Sequence, residues 1–126
     1  MSKTIRLLVV EDEPSIREIV SMFLGSLAYD IDTAESGTDA IAKLEENAYD
    51  AIVSDIKMPG KSGIDLYEHL QERFPHLARR ILFITGDMIT PETNRFLAES
   101  GCPWIAKPFD LTDLLRKLQT IVGLQS

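Results

Sequence analysis

Cysteine is almost missing. Cys102 is the only one in 126 residues, so no internal disulfide can form and CxxC-type metal sites are excluded. Long apolar runs are missing too: the longest, LLVV at 7–10 and ILFI at 81–84, are of strand length and far short of a bilayer span. The opening MSKTIR carries no apolar run of signal-peptide length, so a cytoplasmic protein without membrane association is expected. Positive charge is in the minority. Thirteen Lys and Arg against twenty Asp and Glu leave −7 at pH 7, with an isoelectric point near 4.7. A body of that sign repels nucleic-acid phosphates, so direct DNA binding is not expected. What is plentiful is ordinary: 44% hydrophobic and 26% charged residues fit a folded globular chain and argue against disorder. The length fits one domain, residues 1–126, able to bury roughly two-thirds of its unfolded surface without a metal or disulfide staple.

Hydrophobic periodicity divides the chain into alternating units. Ile5–Val10 is a continuous apolar run, the mark of a strand buried on both faces. Glu11-Asp12-Glu13-Pro14 breaks it, and helical spacing follows through Ile16, Ile19, Val20, Phe23, Leu24 and Leu27, with Pro14 suited to the first helical position. Ile31–Ala34 is a second strand. Ser36 with Asp39 resembles a capping box that opens a helix through Ala40, Ile41 and Leu44. Ala51–Asp55 is a third strand, apolar through Val53 and ending in Ser54 and an acid. The stretch from Lys57 to Gly63 is loop by its proline and glycines. Leu66, Tyr67, Leu70 and Phe74 mark a third helix closed by Pro75. Ile81–Thr85 is a fourth strand, and Thr90-Pro91 opens a fourth helix with a weaker apolar stripe. Trp104–Ala106 is a fifth strand ending at Lys107-Pro108, and Asp110 caps a last helix carrying Leu111, Leu114, Leu115, Leu118 and Ile121. Five strand–helix units in strict alternation predict an α/β fold: a doubly wound, five-stranded parallel sheet with helices on both faces.

In such folds chemistry gathers beyond the carboxyl ends of the strands. Those ends carry Glu11 and Asp12, Asp55, Thr85 and Lys107. Three carboxylates on one rim repel one another, and a divalent cation relieves that. Oxygen-only ligands at a solvent-facing rim suit Mg²⁺. A carboxylate, a hard cation, a hydroxyl and an ammonium together suit phosphoryl transfer to an aspartate, with Lys and metal neutralising the equatorial oxygens. Taken singly, each residue has a plainer reading: the acids as complements to a helix N-terminus, Asp55 as a turn residue, Thr85 as a strand end, Lys107 as a solvated lysine. It is the coincidence of all five that points to chemistry. His69 and His76 read as surface residues, Met58 as a loop residue packed on the core, and Cys102 as a small core residue.

Four segments, VVEDEP (9–14), SDIKMPGKSG (54–63), FITGD (83–87) and IAKPF (105–109), resemble in order and separation the receiver domain of two-component response regulators, over essentially the whole chain. The resemblance implies a flavodoxin-like fold with strand order 2-1-3-4-5. It implies that Asp55 is the phosphoacceptor. Asp12, Glu11 (through water), Asp55 and the backbone carbonyl of Lys57 would be the Mg²⁺ ligands, and Thr85 and Lys107 the partners of the phosphoryl group. A cis Lys107–Pro108 peptide is implied as well. Trp104 falls where the family keeps a switch aromatic, and anchor, switch and packing residue all remain open for it. Lys57 and Asp87 flank the site at positions expected to tune phosphoryl lifetime. The implied partners are a histidine kinase or histidine phosphotransfer protein as donor, and a downstream effector or fused output domain. A second copy is also implied, through the face of the fourth helix, fifth strand and last helix. Such a chain is a signalling phosphoacceptor and not an enzyme. No output domain follows Leu124, so a stand-alone regulator and a receiver from a hybrid kinase or larger regulator both remain readings.

Other functions fit less well. An aspartyl-phosphate phosphatase of the haloacid-dehalogenase type wants an acid two residues after its nucleophile, where Lys57 stands, and a cap domain that 126 residues leave no room for. A flavodoxin-like cofactor carrier needs a phosphate loop after the first strand, and Glu11-Asp12-Glu13 would repel it. A receiver-like interaction module that takes no phosphate is disfavoured because every site residue is present.

Overall fold

The computed structural model describes residues 4–58, 60–86 and 90–123. Five parallel strands, β1 (Arg6–Val10), β2 (Asp30–Ala34), β3 (Ala51–Asp55), β4 (Ile81–Thr85) and β5 (Trp104–Ala106), form one sheet in the order β2-β1-β3-β4-β5. Helices α1 (Pro14–Gly25), α2 (Gly37–Glu46), α3 (Gly63–Arg73), α5 (Pro91–Ser100) and α6 (Leu111–Ile121) connect or follow them, and a single turn, α4 (Pro75–Ala78), sits between α3 and β4. The predicted fold class and strand order are those observed.

The alternation of the central strands sorts the core into two layers. Leu7, Val9, Ala51, Val53, Leu82, Ile84 and Ile105 point to one face and pack with Val20 and Leu24 of α1 and Leu114 and Leu118 of α6. Leu8, Val10, Ile52, Ile81 and Phe83 point to the other and pack with Ala40 and Leu44 of α2, Leu66 and Leu70 of α3, and Leu97 of α5. Strands covered on both sides are apolar through their middles, which is why Leu7–Val10, Ala51–Val53 and Ile81–Ile84 read as continuous runs, with polar Ser54, Asp55 and Thr85 buried only at the carboxyl ends.

Several local expectations need correction. Ile19 and Leu27, placed on the apolar stripe of α1, are 54% and 44% exposed; only Val20 and Leu24 of that stripe are fully buried. Pro75 does more than close α3: it opens the extra turn α4 as its first residue, the position where a missing N–H costs nothing. Asp110 stands at the N-cap of α6 but makes no side-chain capping bond. Ser36 does cap α2, accepting from Asp39 N at 3.0 Å, whereas the Asp39 carboxylate accepts from Glu35 N and not from Ser36, so the box is half made. The complete capping box is at α3, between Ser62 and Asp65. His69 is half-buried, with Nε2 3.7 Å from Glu45 Oε2. His76 is exposed, and Met58 and Cys102 are buried as expected.

Two glycines fix close approaches around β3, Gly63 of α3 to the end of the strand and Gly37 of α2 to the loop that follows it. A Cβ on Gly63 would stand 2.5 Å from the Asp55 carbonyl oxygen and 2.9 Å from Ile56 Cα. One on Gly37 would stand 2.4 Å from the Lys61 carbonyl oxygen, the group to which Gly37 N donates at 3.1 Å. Alanine gains up to about 1 kcal/mol of helix propensity over glycine, but overpacking against backbone costs about 1–3 kcal/mol. Gly63→Ala is therefore expected to destabilise by about 1–2 kcal/mol in urea unfolding. Gly25→Ala, with no heavy atom within 4 Å of the added Cβ, is expected to be neutral or mildly stabilising.

Candidate functional site

The strand order reverses direction at β1 and β3, and the loops leaving their carboxyl ends part there to leave a crevice. Carried one step past Val9, Val53 and Ile105, the alternation puts Glu11, Asp55 and Lys107 over the same face. Backbone bonds hold those extensions in register: Glu11 N donates to Ala34 O at 3.0 Å, Ile56 N to Ile84 O at 3.1 Å, and Lys107 N to Thr85 O at 2.8 Å. The Lys107–Pro108 peptide is cis.

Carboxylate oxygens of Glu11, Asp12 and Asp55 lie within 4.8 Å of one another. Glu11 and Asp55 are buried and Asp12 is half-buried. The Lys107 ammonium reaches into the group, 3.1 Å from Asp55 Oδ2 and 3.2 Å from Glu11 Oε1. Thr85 is buried at the end of β4, its hydroxyl 3.4 Å from the carbonyl of Gly86. Lys57 follows in the loop after β3 and is exposed. Trp104 lies apart from the acids. In register with Phe83, it stands on the α5 side of the sheet at the open edge, 39% exposed. Asp87 lies outside the described residues.

Burial dominates the electrostatics of Glu11. Its pKa is raised on balance from 4.5 to about 7: desolvation raises it most, the N–H of Glu13 lowers it, the charge of Asp55 raises it, and the Lys107 ammonium lowers it. Burial pulls Lys107 down, but the hydrogen bond and charge of Asp55, then those of Glu11, outweigh it and hold the lysine above its ordinary range. Glu11 Oε1 is fully buried and, among the described residues, accepts no well-aligned hydrogen bond, with the Lys107 ammonium 3.2 Å away. A buried, under-bonded carboxylate oxygen within a set of oxygen donors fits a hard divalent cation such as Mg²⁺.

Sequence reasoning passed over three supports. Arg17 of α1 donates from its guanidinium to the Glu11 carbonyl at 2.8 Å, fixing the loop that carries Glu11 and Asp12. Glu13 Oε1 lies 3.3 Å from Lys107 Nζ. Gly37 and Gly63 pin the loop after β3. The glycines could have been suspected from their positions at helix starts; nothing in the sequence announces the Arg17 or Glu13 contacts, which depend on where the loops fold back.

The family description "Response regulator receiver domain" matches residues 7–119. The chain belongs to this family. Among curated relatives, the transcriptional regulatory protein ResD of Bacillus subtilis is 35% identical over 119 residues, 93% of this chain and 48% of that protein. The sensor histidine kinase RcsC of Salmonella typhi is 32% identical over 112 residues, 89% of this chain and 12% of that protein. The receiver chain thus spans about half the length, or less, of the curated relatives it matches. Among solved structures, the chemotaxis protein CheY4 of Vibrio cholerae superposes with a TM-score of 0.83 at 30% identity, covering 94% of this chain and 99% of that one. The response regulator TrrA of Thermotoga maritima, solved in complex with Mg²⁺ and BeF, superposes with a TM-score of 0.80 at 30% identity, covering 94% of this receiver and 99% of that chain. No described helix is long and apolar enough to cross a membrane.

Proposed function

We propose that this receiver is the phosphoacceptor of a two-component or phosphorelay system, with Asp55 as the residue that takes the phosphoryl group. The observation that carries the reading is the pocket itself: three carboxylates within 4.8 Å at the switch point of the sheet, with an ammonium 3.1 Å from Asp55. Glu11, Asp12, Asp55 and the carbonyl of Lys57 would hold Mg²⁺, which when bound neutralises charge on the carboxylates and on the phosphoryl oxygens. A carboxylate oxygen of Asp55 attacks phosphorus in line. Lys107, already charged and held against Asp55 and Glu11, pairs with the oxygens that arrive, and the Thr85 hydroxyl turns toward them from its weak contact with Gly86. Because the chain is itself the acceptor, it is a signalling switch and not a turnover enzyme.

The donor is a phosphohistidine on a kinase or phosphotransfer protein. A groove of about 530 Å³ lined by Ile16, Ile19, Val20, Pro108, Phe109 and Leu111 opens beside Lys107, an apolar seat for a donor helix next to the chemistry. The output lies across the sheet. Thr85 and Phe83 share a face of β4, and Phe83 packs edge-on against Phe96 of α5, ring centres 5.3 Å apart, with Tyr67 5.4 Å from Phe96. A phosphoryl group adds roughly −1.5 to −2 charge. Drawing Thr85 toward it repacks this cluster and shifts the population of the α5-β5-α6 face, where Trp104 is exposed, toward a form with different affinity for an effector, an output domain or a second copy.

Intact-mass measurement of the protein after incubation with acetyl phosphate tests the reading. One added phosphoryl group is expected with Mg²⁺ and none when the metal is chelated. A chain that stays unmodified in saturating Mg²⁺ refutes it.

A further inference from the structure

The side chain of Glu13 stands where the fold does not require it. It occupies the N-cap of α1 yet makes no capping hydrogen bond. It turns back instead to Lys107, 3.3 Å away, while remaining 56% exposed. The lysine is thus held from inside the pocket by Asp55 and Glu11, and from its mouth by Glu13. In-line attack by Asp55 requires the departing group to lie on the far side of phosphorus, toward solvent, and Glu13 is the solvent-exposed carboxylate that contacts Lys107.

We propose that Glu13 selects among phosphoryl donors, disfavouring acyl phosphates relative to phosphoramidates. The inference rests on the phosphoacceptor reading above. With either donor a carboxylate oxygen of Asp55 forms the new O–P bond, and the bond to the leaving group breaks with its electron pair. An acyl phosphate releases a carboxylate, so negative charge grows next to Glu13. An N-protonated phosphoramidate, the chemistry of a protonated phosphoimidazole, releases a neutral amine or imidazole and approaches with a positive nitrogen. The repulsion therefore falls on the first class. An exposed charge a few ångströms away acts through water, so the expected discrimination is about threefold to tenfold.

Initial rates of phosphoryl uptake from acetyl phosphate and from phosphoramidate, followed by intact mass in Mg²⁺, decide the matter for the wild type, Glu13→Gln and Glu18→Gln. The ratio of acetyl phosphate rate to phosphoramidate rate is expected to rise about threefold to tenfold in Glu13→Gln and to stay put in Glu18→Gln, which removes an equal charge from an exposed position of α1. The difference should shrink in 1 M salt, where the screening length is about 3 Å. Glu13→Ser, which offers α1 a capping hydroxyl, should shift the ratio the same way and keeps the test independent of any loss of helix stability. Equal acceleration with both donors overturns the proposal, for Glu13 would then be only a tether for Lys107; so does an unchanged ratio. A wild type that takes phosphate from neither donor overturns the phosphoacceptor reading itself and this inference with it.

Discussion

Asp55→Asn is expected to abolish phosphoryl uptake, a loss of at least about a hundredfold, while leaving the chain folded. An amide is nearly isosteric with the carboxylate but offers no anionic oxygen to phosphorus. The two neighbouring acids do not stand in for it. Glu11 is buried at the end of β1, its Oε2 accepts the Glu13 N–H at 3.1 Å, and its Oε1 lies against the Lys107 ammonium among the proposed Mg²⁺ ligands. Asp12 sits on the β1–α1 loop and not at the end of β3. Folding should survive because the substitution removes one charge from a repulsive trio while Lys107 retains Glu11 and Glu13 as partners. The check is intact mass after acetyl phosphate and Mg²⁺, with a thermal melt alongside. Undiminished labelling of a folded Asp55→Asn protein would move the acceptor to another carboxylate and break the assignment.

The sequence carried this fold unusually far because the sheet is covered on both sides. Burial on two faces writes the middles of β1, β3 and β4 as apolar runs, and Glu11, Ser54-Asp55 and Thr85 stand out where they end. Strand order came from the resemblance, since periodicity gives the elements but not their neighbours. Legibility failed where a contact depends on two segments far apart. Ile19 reads as a core residue by spacing alone; in the fold α1 buries Val20 and Leu24 fully, with Ile16 and Phe23 partly buried beside them, and leaves Ile19 outside that stripe. Asp110 has the chemistry of an N-cap and caps nothing, while Ser62, in a stretch that reads simply as loop, completes a box with Asp65 just beyond it. In the pocket, mutual repulsion was the expected cause of any carboxylate shift. For Glu11 the larger cause is desolvation, which comes from its near-complete burial in the fold and is not written in the spacing of acids.

Glu11→Gln is expected to make the metal-free protein more stable and the phosphoacceptor worse. The folded state raises the Glu11 pKa from 4.5 to about 7. Between those values the native protein holds a proton that the unfolded chain releases, so stability falls as pH rises through the window, and the whole cost is present above about 7. A displacement of this size corresponds to at most roughly 3 kcal/mol, and Gln, which can still accept from Glu13 N, avoids it. Urea unfolding with a chelator present should show the variant ahead by roughly 1–3 kcal/mol at pH 8 and level with the wild type at pH 4. Saturating Mg²⁺ should narrow or reverse the gap, because binding stabilises the wild type by mass action and the variant offers one carboxylate fewer. The Mg²⁺ needed for half-maximal phosphoryl uptake should rise in parallel. A variant less stable than the wild type at pH 8 without metal would mean that the Lys107 pair outweighs desolvation, and that the buried carboxylate is a structural asset. The expected outcome means the opposite: the fold tolerates an unfavourable charge at Glu11 that only a cation in the pocket can offset, which ties the stability of this receiver to the ion its chemistry requires.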